Sequence, residues 1–212
     1  MHTLRTIFVL GAAAAGCFAQ QWEFGAEGGG SLPTTVPVTA PGGSATAGFK
    51  PGAAFGAYLG QNLYNHVSGE IHYGYIMSDL RVKSGAVEAT FSGQSHVLYY
   101  GVVLHTGGRQ ARTQAFVSIG GGMRIFRGTG TEAAYQPLSQ YAYLTKTQTL
   151  KPMGSIGVGV KVALSARLFL RAEVCDYITP FPTQVITPAV NATFGGKILH
   201  DFTPMVGLSF AL

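Results

Sequence analysis

Charge is scarce in this chain: Asp, Glu, Lys and Arg make up 11% of its 212 residues, against roughly 25% in an ordinary soluble domain. A surface facing water is normally rich in these residues, so a soluble globule fits poorly. Long apolar runs are missing too. Hydrophobic residues reach 47% of the chain, yet beyond its start no run approaches the ~18 residues of a membrane-spanning helix. Cysteine is confined to Cys17 and Cys175, too few for a disulfide framework. Basic residues outnumber acidic ones only by 14 to 9, with no dense basic patch or basic helix, so nucleic acid is not expected as a partner. The small positive excess suits anionic lipid headgroups. A hydrophobic, weakly charged chain without a membrane helix is best reconciled as a β-barrel that turns an apolar belt to lipid.

The first residues read as a secretory signal. Arg5, with His2, supplies the positive start, residues 7–15 the short apolar core, and Cys17-Phe18-Ala19 a small-x-small cleavage site. Residues 1–19 are then a signal peptide, and residues 20–212 form one domain starting at Gln20. A competing reading takes Ala14-Ala15-Gly16-Cys17 as a lipoprotein box with Cys17 acylated. Such boxes usually carry Leu where Ala14 stands. If Cys17 is removed, Cys175 is the single remaining thiol and the fold relies on its hydrogen-bond ladder.

Residues 200–212 show the governing pattern. Phe202, Pro204, Val206, Leu208, Phe210 and Leu212 alternate with Asp201, Thr203, Met205, Gly207, Ser209 and Ala211. A period of two puts these sets on opposite faces of a strand, and roughly 9–11 residues suffice for a tilted strand to cross hydrocarbon. The rhythm recurs in residues 21–30, 48–61, 67–80, 94–106, 112–126, 150–164 and 167–177. Short turns at 62–66, 107–110 and 165–166 alternate with longer connections at 31–47, 81–93, 127–147 and 178–199. The first of these is rich in Pro, Thr, Gly and Ser and reads as a loop. The expected fold is all-β, an eight-stranded antiparallel up-and-down transmembrane β-barrel. Its short turns and both termini would be periplasmic and its long loops extracellular.

Alternation alone does not say which face points inward, because a soluble lipid-binding barrel has the same period with its apolar face inside. The other face decides for the membrane. It is mostly Gly, Ser and Thr with ions of both signs: Glu23, Glu27, Glu70, Glu173 and Asp201 against Arg124, Lys161 and Arg171. The interior of an eight-stranded barrel is just wide enough for side chains to fill, and ions buried there must pair to offset their desolvation. These eight residues form a candidate lumen charge network that plugs the barrel. Gly120, Gly121, Gly122, Gly157 and Gly159 relieve crowding inside a narrow barrel, and no helix follows them to make a phosphate-cradling loop.

The layout and the ending resemble the eight-stranded outer-membrane barrels of the OmpA/OmpX-like group. The stretch from Gly157-Val158-Gly159-Val160-Lys161 to Phe169-Leu170-Arg171-Ala172-Glu173, with Asp176-Tyr177, looks like the penultimate hairpin of that group. Phe202, Val206, Leu208, Phe210 and Leu212 look like its C-terminal assembly signal, although such signals usually end on an aromatic residue and this chain ends on Leu212. The resemblance covers the whole mature chain in layout and the last two hairpins in residues. It implies a bacterial outer-membrane location and two partners, outer-membrane lipid (lipopolysaccharide included) and the barrel-assembly machinery. OmpA carries a peptidoglycan-binding domain after its barrel; this chain stops at the barrel, so that activity is not expected.

Chemistry is harder to find. Ser95-His96 and His200-Asp201 are adjacent on strands, so their side chains point to opposite faces and neither pair is a nucleophile–base contact by itself. His66, His72, His96, His105 and His200 do not fall at metal-ligand spacing. No enzyme, metal or cofactor is expected. The expected role is structural or surface interaction through the long loops, by a monomer, with the loops' ligand left open. A narrow ion conduit, a lipid-modifying enzyme and a soluble lipid-binding barrel are the alternatives.

Overall fold

The computed structural model describes residues 22–108 and 111–212. The expected signal peptide, Cys17, and Arg109 and Gln110 of the second short turn lie outside the described residues. Eight long strands dominate: β1 (Trp22–Pro33), β2 (Gly52–Asn62), β3 (Val67–Met77), β4 (Gly93–His105), β5 (Thr113–Gly128), β6 (Gln148–Ala163), β7 (Leu168–Pro180) and β8 (Ile198–Ala211). Each pairs with its neighbour in the chain, and β1 pairs antiparallel with β8, so the sheet closes into a barrel. Closure leaves no strand edge with unpaired backbone groups, the one sheet geometry that lipid tolerates. No helix among the described residues is long and apolar enough to cross a membrane.

The alternation sorts the side chains as the period requires. Phe24, Phe55, Ile71, Leu98, Ile119, Val158 and Val206, one from each of seven strands, all stand exposed on the outer surface. A continuous apolar belt of this kind would be an aggregation liability in water and is the normal surface in hydrocarbon. The inward positions mix small residues with large ones. Gly159 is the register partner of Phe116, and Gly25 that of Tyr58. A Cβ at either glycine would collide with the facing ring, so these glycines are the space in which inward aromatics lie.

The long connections differ from expectation. Instead of loops they form a folded cap over one end of the barrel. The strands Thr35–Ala40 and Gly43–Phe49 make a hairpin that takes up most of the segment 31–47, read as a loop rich in Pro, Thr, Gly and Ser, and runs two residues past it. Leu80–Ser84 and Val87–Phe91 make a second hairpin, with Gly85 at its turn in the left-handed region (φ 57°). With Thr193–Phe194 these form a five-stranded sheet, and Ala142–Leu144 pairs with Ile186–Pro188. Val36, Val38, Ala45, Ala47, Leu80 and Val82 bury one face of the sheet against residues of the last two connections, among them Leu144, Phe181 and Ile186. Turn-rich composition concealed this alternation; a sequence window registers Pro33, Pro37 and the threonines before it registers three buried residues two apart.

Candidate functional site in the barrel lumen

The lumen is filled in layers. At the end carrying the short turns it opens as a polar vestibule of about 650 Å³, lined by residues including Glu23, Asn62, His105, Gln114, Lys161 and Arg167. Glu23 forms the floor of this vestibule. Its carboxylate accepts from Lys161 Nζ at 2.6 Å, Ser209 Oγ at 2.6 Å and Tyr58 OH at 3.1 Å. The ammonium also lies 4.6 Å from the centre of the Phe169 ring.

Arg171 occupies the next level and is buried. It donates through Nη1 to both oxygens of Glu70, at 3.0 and 2.9 Å, and through Nε and Nη2 to Glu173 Oε2, at 2.9 and 2.6 Å. Its guanidinium is sandwiched between the rings of Tyr58 and Phe116, at 4.4 and 4.5 Å. Planarity and five fixed donors suit Arg, and not Lys, to this place. Glu70 also pairs with His72 Nε2 at 2.8 Å. The His72 ring stacks between Tyr58 and Tyr99, with centroids 5.2 and 4.6 Å away. Glu27 reaches the same level, where its Oε2 is buried without a hydrogen-bond partner among the described residues.

Above the ions lies a layer that the reading of the inner face as Gly, Ser and Thr did not anticipate. Ala54, Ile76, Val97, Tyr99, Met153 and Tyr177 pack with Cys175 and Met205 into an apolar cluster. Cys175 is a buried free thiol. Inward parity was the signal available for these residues: Tyr58, Tyr99 and Tyr177 lie in step with Gly56, Gly101 and Glu173. Over this cluster Arg124 faces Asp201, with Nη2 2.7 Å from Oδ2. That ion pair is off-line for a hydrogen bond, and the directional bonds come from Arg124 Nε to Ser95 Oγ at 3.1 Å and from Ser31 Oγ to Asp201 Oδ1 at 2.6 Å. Phe126 closes the top, 4.6 Å from the Arg124 guanidinium and stacked on Phe49 of the cap at 5.3 Å.

The eight ionic residues singled out from sequence thus all stand in the lumen, in two groups. Arg124 and Asp201 pair near the cap; the other six lie on the far side of the apolar layer. Phe202, Val206, Leu208, Phe210 and Leu212 are all exposed on the outer face. His200 pairs with Asp176 Oδ2 at 2.8 Å rather than with its neighbour Asp201. The spacing of His66-Val67-Ser68 puts a His and a Ser two apart, but Ser68 Oγ contacts His105 Nε2, at 2.9 Å. Among the described residues His105 Nδ1 is buried with no hydrogen-bond partner, so no acid there orients this imidazole as a catalytic one would require.

No known family's sequence pattern and no curated relative matches the chain. Solved structures match it in fold. The outer membrane protein OprG of Pseudomonas aeruginosa superposes with a TM-score of 0.54 at 11% identity, over 90% of this chain and 96% of that one. Neisserial surface protein A (NspA) gives 0.53 at 11%, over 90% and 97%. The N-terminal β-barrel domain of P. aeruginosa OprF gives 0.50 at 15%, over 90% and 96%. At these identities the likeness is one of fold: the chain is an eight-stranded β-barrel of the outer-membrane type.

Proposed function

We propose that this protein is a sealed anchor of the bacterial outer membrane that displays its cap as a rigid surface for recognition outside the cell. One observation carries the reading: the long connections share a hydrophobic core of their own, in which Val38, Ala47, Leu80, Val82, Val185 and Ile186 are fully buried. Ordering a segment on binding costs affinity, and a surface already folded avoids that cost. Tyr135 and Val190, 76% and 99% exposed, are among the side chains such a cap offers to a partner. The barrel's own side chains are taken up by lipid and by the packed lumen. In this reading residues 1–19 direct export, residues 20–212 are the barrel with its cap, and Phe202, Val206, Leu208, Phe210 and Leu212 engage the assembly machinery before meeting lipid as a monomer's outer face. The eight lumen ions act as the plug, and the protein is not an enzyme.

Protease treatment of intact cells tests the placement. Cleavage is expected first in residues 129–140, which lack strands, while both cap hairpins resist. Val82→Asp puts a carboxylate into the cap core and is expected to open residues 35–49 and 80–91 to cleavage, with the barrel fragment surviving. Cuts confined to residues 62–66 and 164–167 would invert the orientation and remove the display role.

A further inference from the structure

Four carboxylates, Glu23, Glu27, Glu70 and Glu173, share the lower lumen with two obligate cations, Lys161 and Arg171. Hydrogen bonds account for Glu23, Glu70 and Glu173, whereas Glu27 Oε2 is buried and has no hydrogen-bond partner among the described residues. Burial without compensation disfavours an excess of two negative charges, so something positive must accompany them. A ligand set stands at that point. Glu27 of β1, His72 of β3 and Glu173 of β7 each present a donor atom, all within 4.8 Å of one another. Donors about 2.1 Å from one shared ion lie at most about 4.2 Å apart, so a small contraction completes the site.

We infer that Glu27, His72 and Glu173 bind one divalent transition-metal ion inside the barrel. Further features support this. His72 Nε2 faces the Glu70 carboxylate at 2.8 Å, a contact in which Nε2 carries the proton and a neutral ring offers its Nδ1 lone pair as the ligand. A carboxylate behind a metal-binding imidazole is the usual means of orienting it and raising its basicity. The stacked rings of Tyr58 and Tyr99 hold the imidazole in plane. A cavity of about 10 Å³ lies against two of the three ligands, Glu27 and His72, with Thr203, while Glu173 stands outside its lining. Charge matches as well: a dication cancels the excess of two. One imidazole and two carboxylates favour a first-row transition ion over Ca²⁺ or Mg²⁺, whose preferred ligands are all oxygen.

Untagged full-length protein in detergent micelles, stripped with a chelator and dialysed, is titrated calorimetrically with Zn²⁺. The expected result is one saturable site per chain that excess Ca²⁺ does not displace. Glu27→Gln keeps the shape and removes one charge; it should weaken Zn²⁺ binding at least tenfold and make the metal-free barrel more resistant to urea than metal-free wild type. Glu132→Gln, in the exposed cap, should bind as wild type does. Should Glu27→Gln not assemble, Zn²⁺ must still raise the urea midpoint of the wild type. Absence of a saturable site in the wild type would overturn the inference, since protons would then balance the excess charge. Equal Zn²⁺ binding by Glu27→Gln would do so too. Neither result touches the display role of the cap.

Discussion

Arg171 is the residue on which the lower lumen depends. Two carboxylates and two aromatic rings converge on it, from β2, β3, β5 and its own β7. Removing one partner of a buried ion pair typically costs ~3–5 kcal/mol, because the charge left behind keeps its desolvation penalty. Arg171→Met is expected to lose that much, measured by urea unfolding of the refolded protein through fluorescence of the single Trp22. Arg171→Lys restores charge without the fork of donors, so it should recover only part of the loss. A loss below about 1 kcal/mol for Arg171→Met would show that the pairs around it contribute little. The neighbouring glycines belong to the same unit, since Gly25 and Gly159 leave the volume that Tyr58 and Phe116 fill.

At the scale of the strand, parity does most of the work. Val158 is the register partner of Val174 and Val117, and all three lie on the outer face, exposed. An arginine there meets hydrocarbon, and a cation near the midplane of a barrel costs ~2–4 kcal/mol. Val158→Arg and Leu170→Arg should therefore lower the yield of folded, heat-modifiable barrel in lipid. Ser155→Ala, three residues away on the inner face, gives up only a weak contact to the Cys175 thiol at 3.7 Å and should behave as wild type. Equal behaviour of the arginine and alanine variants would reverse the face assignment. The strands also run further than their apolar stretches suggest. β1 continues to Pro33 and β7 to Pro180, and the cap sheet is built on such extensions.

For the whole molecule, the question is whether anything passes through. The vestibule at the turn end is wide, but Glu23 with Lys161, then Arg171 with its carboxylates, then the Tyr99–Tyr177 cluster, and finally Phe126 under the cap core stand in series. Four successive layers would have to open together for an ion to cross. Purified wild type in planar bilayers is expected to show no large, stable conductance. Steady channels from the unmodified protein would make the layers gates, and the conduit reading would replace the plug. The two ends of the barrel are unlike for a physical reason. Short turns have too few residues to bury anything, whereas the long connections carry enough alternating apolar positions to build a second core.

Strand number, the lipid-facing set and the inward ions were legible in the amino-acid sequence because they follow from a period of two, which each segment expresses by itself. Glu23, Arg124 and Phe202 take their faces from their own neighbours in the chain. Partnership is different. Which carboxylate meets Arg171, and that Glu27, His72 and Glu173 converge from β1, β3 and β7, depends on the stagger of strands around the closed barrel, and no local window contains it. The cap escaped for a related reason: Val36, Val82 and Ile186 look like isolated apolar residues among turn formers until three connections fold together. Local periodicity determined the barrel and its orientation of faces; only closure and the docking of distant segments decided its ion pairs, its metal-ligand geometry and its folded cap.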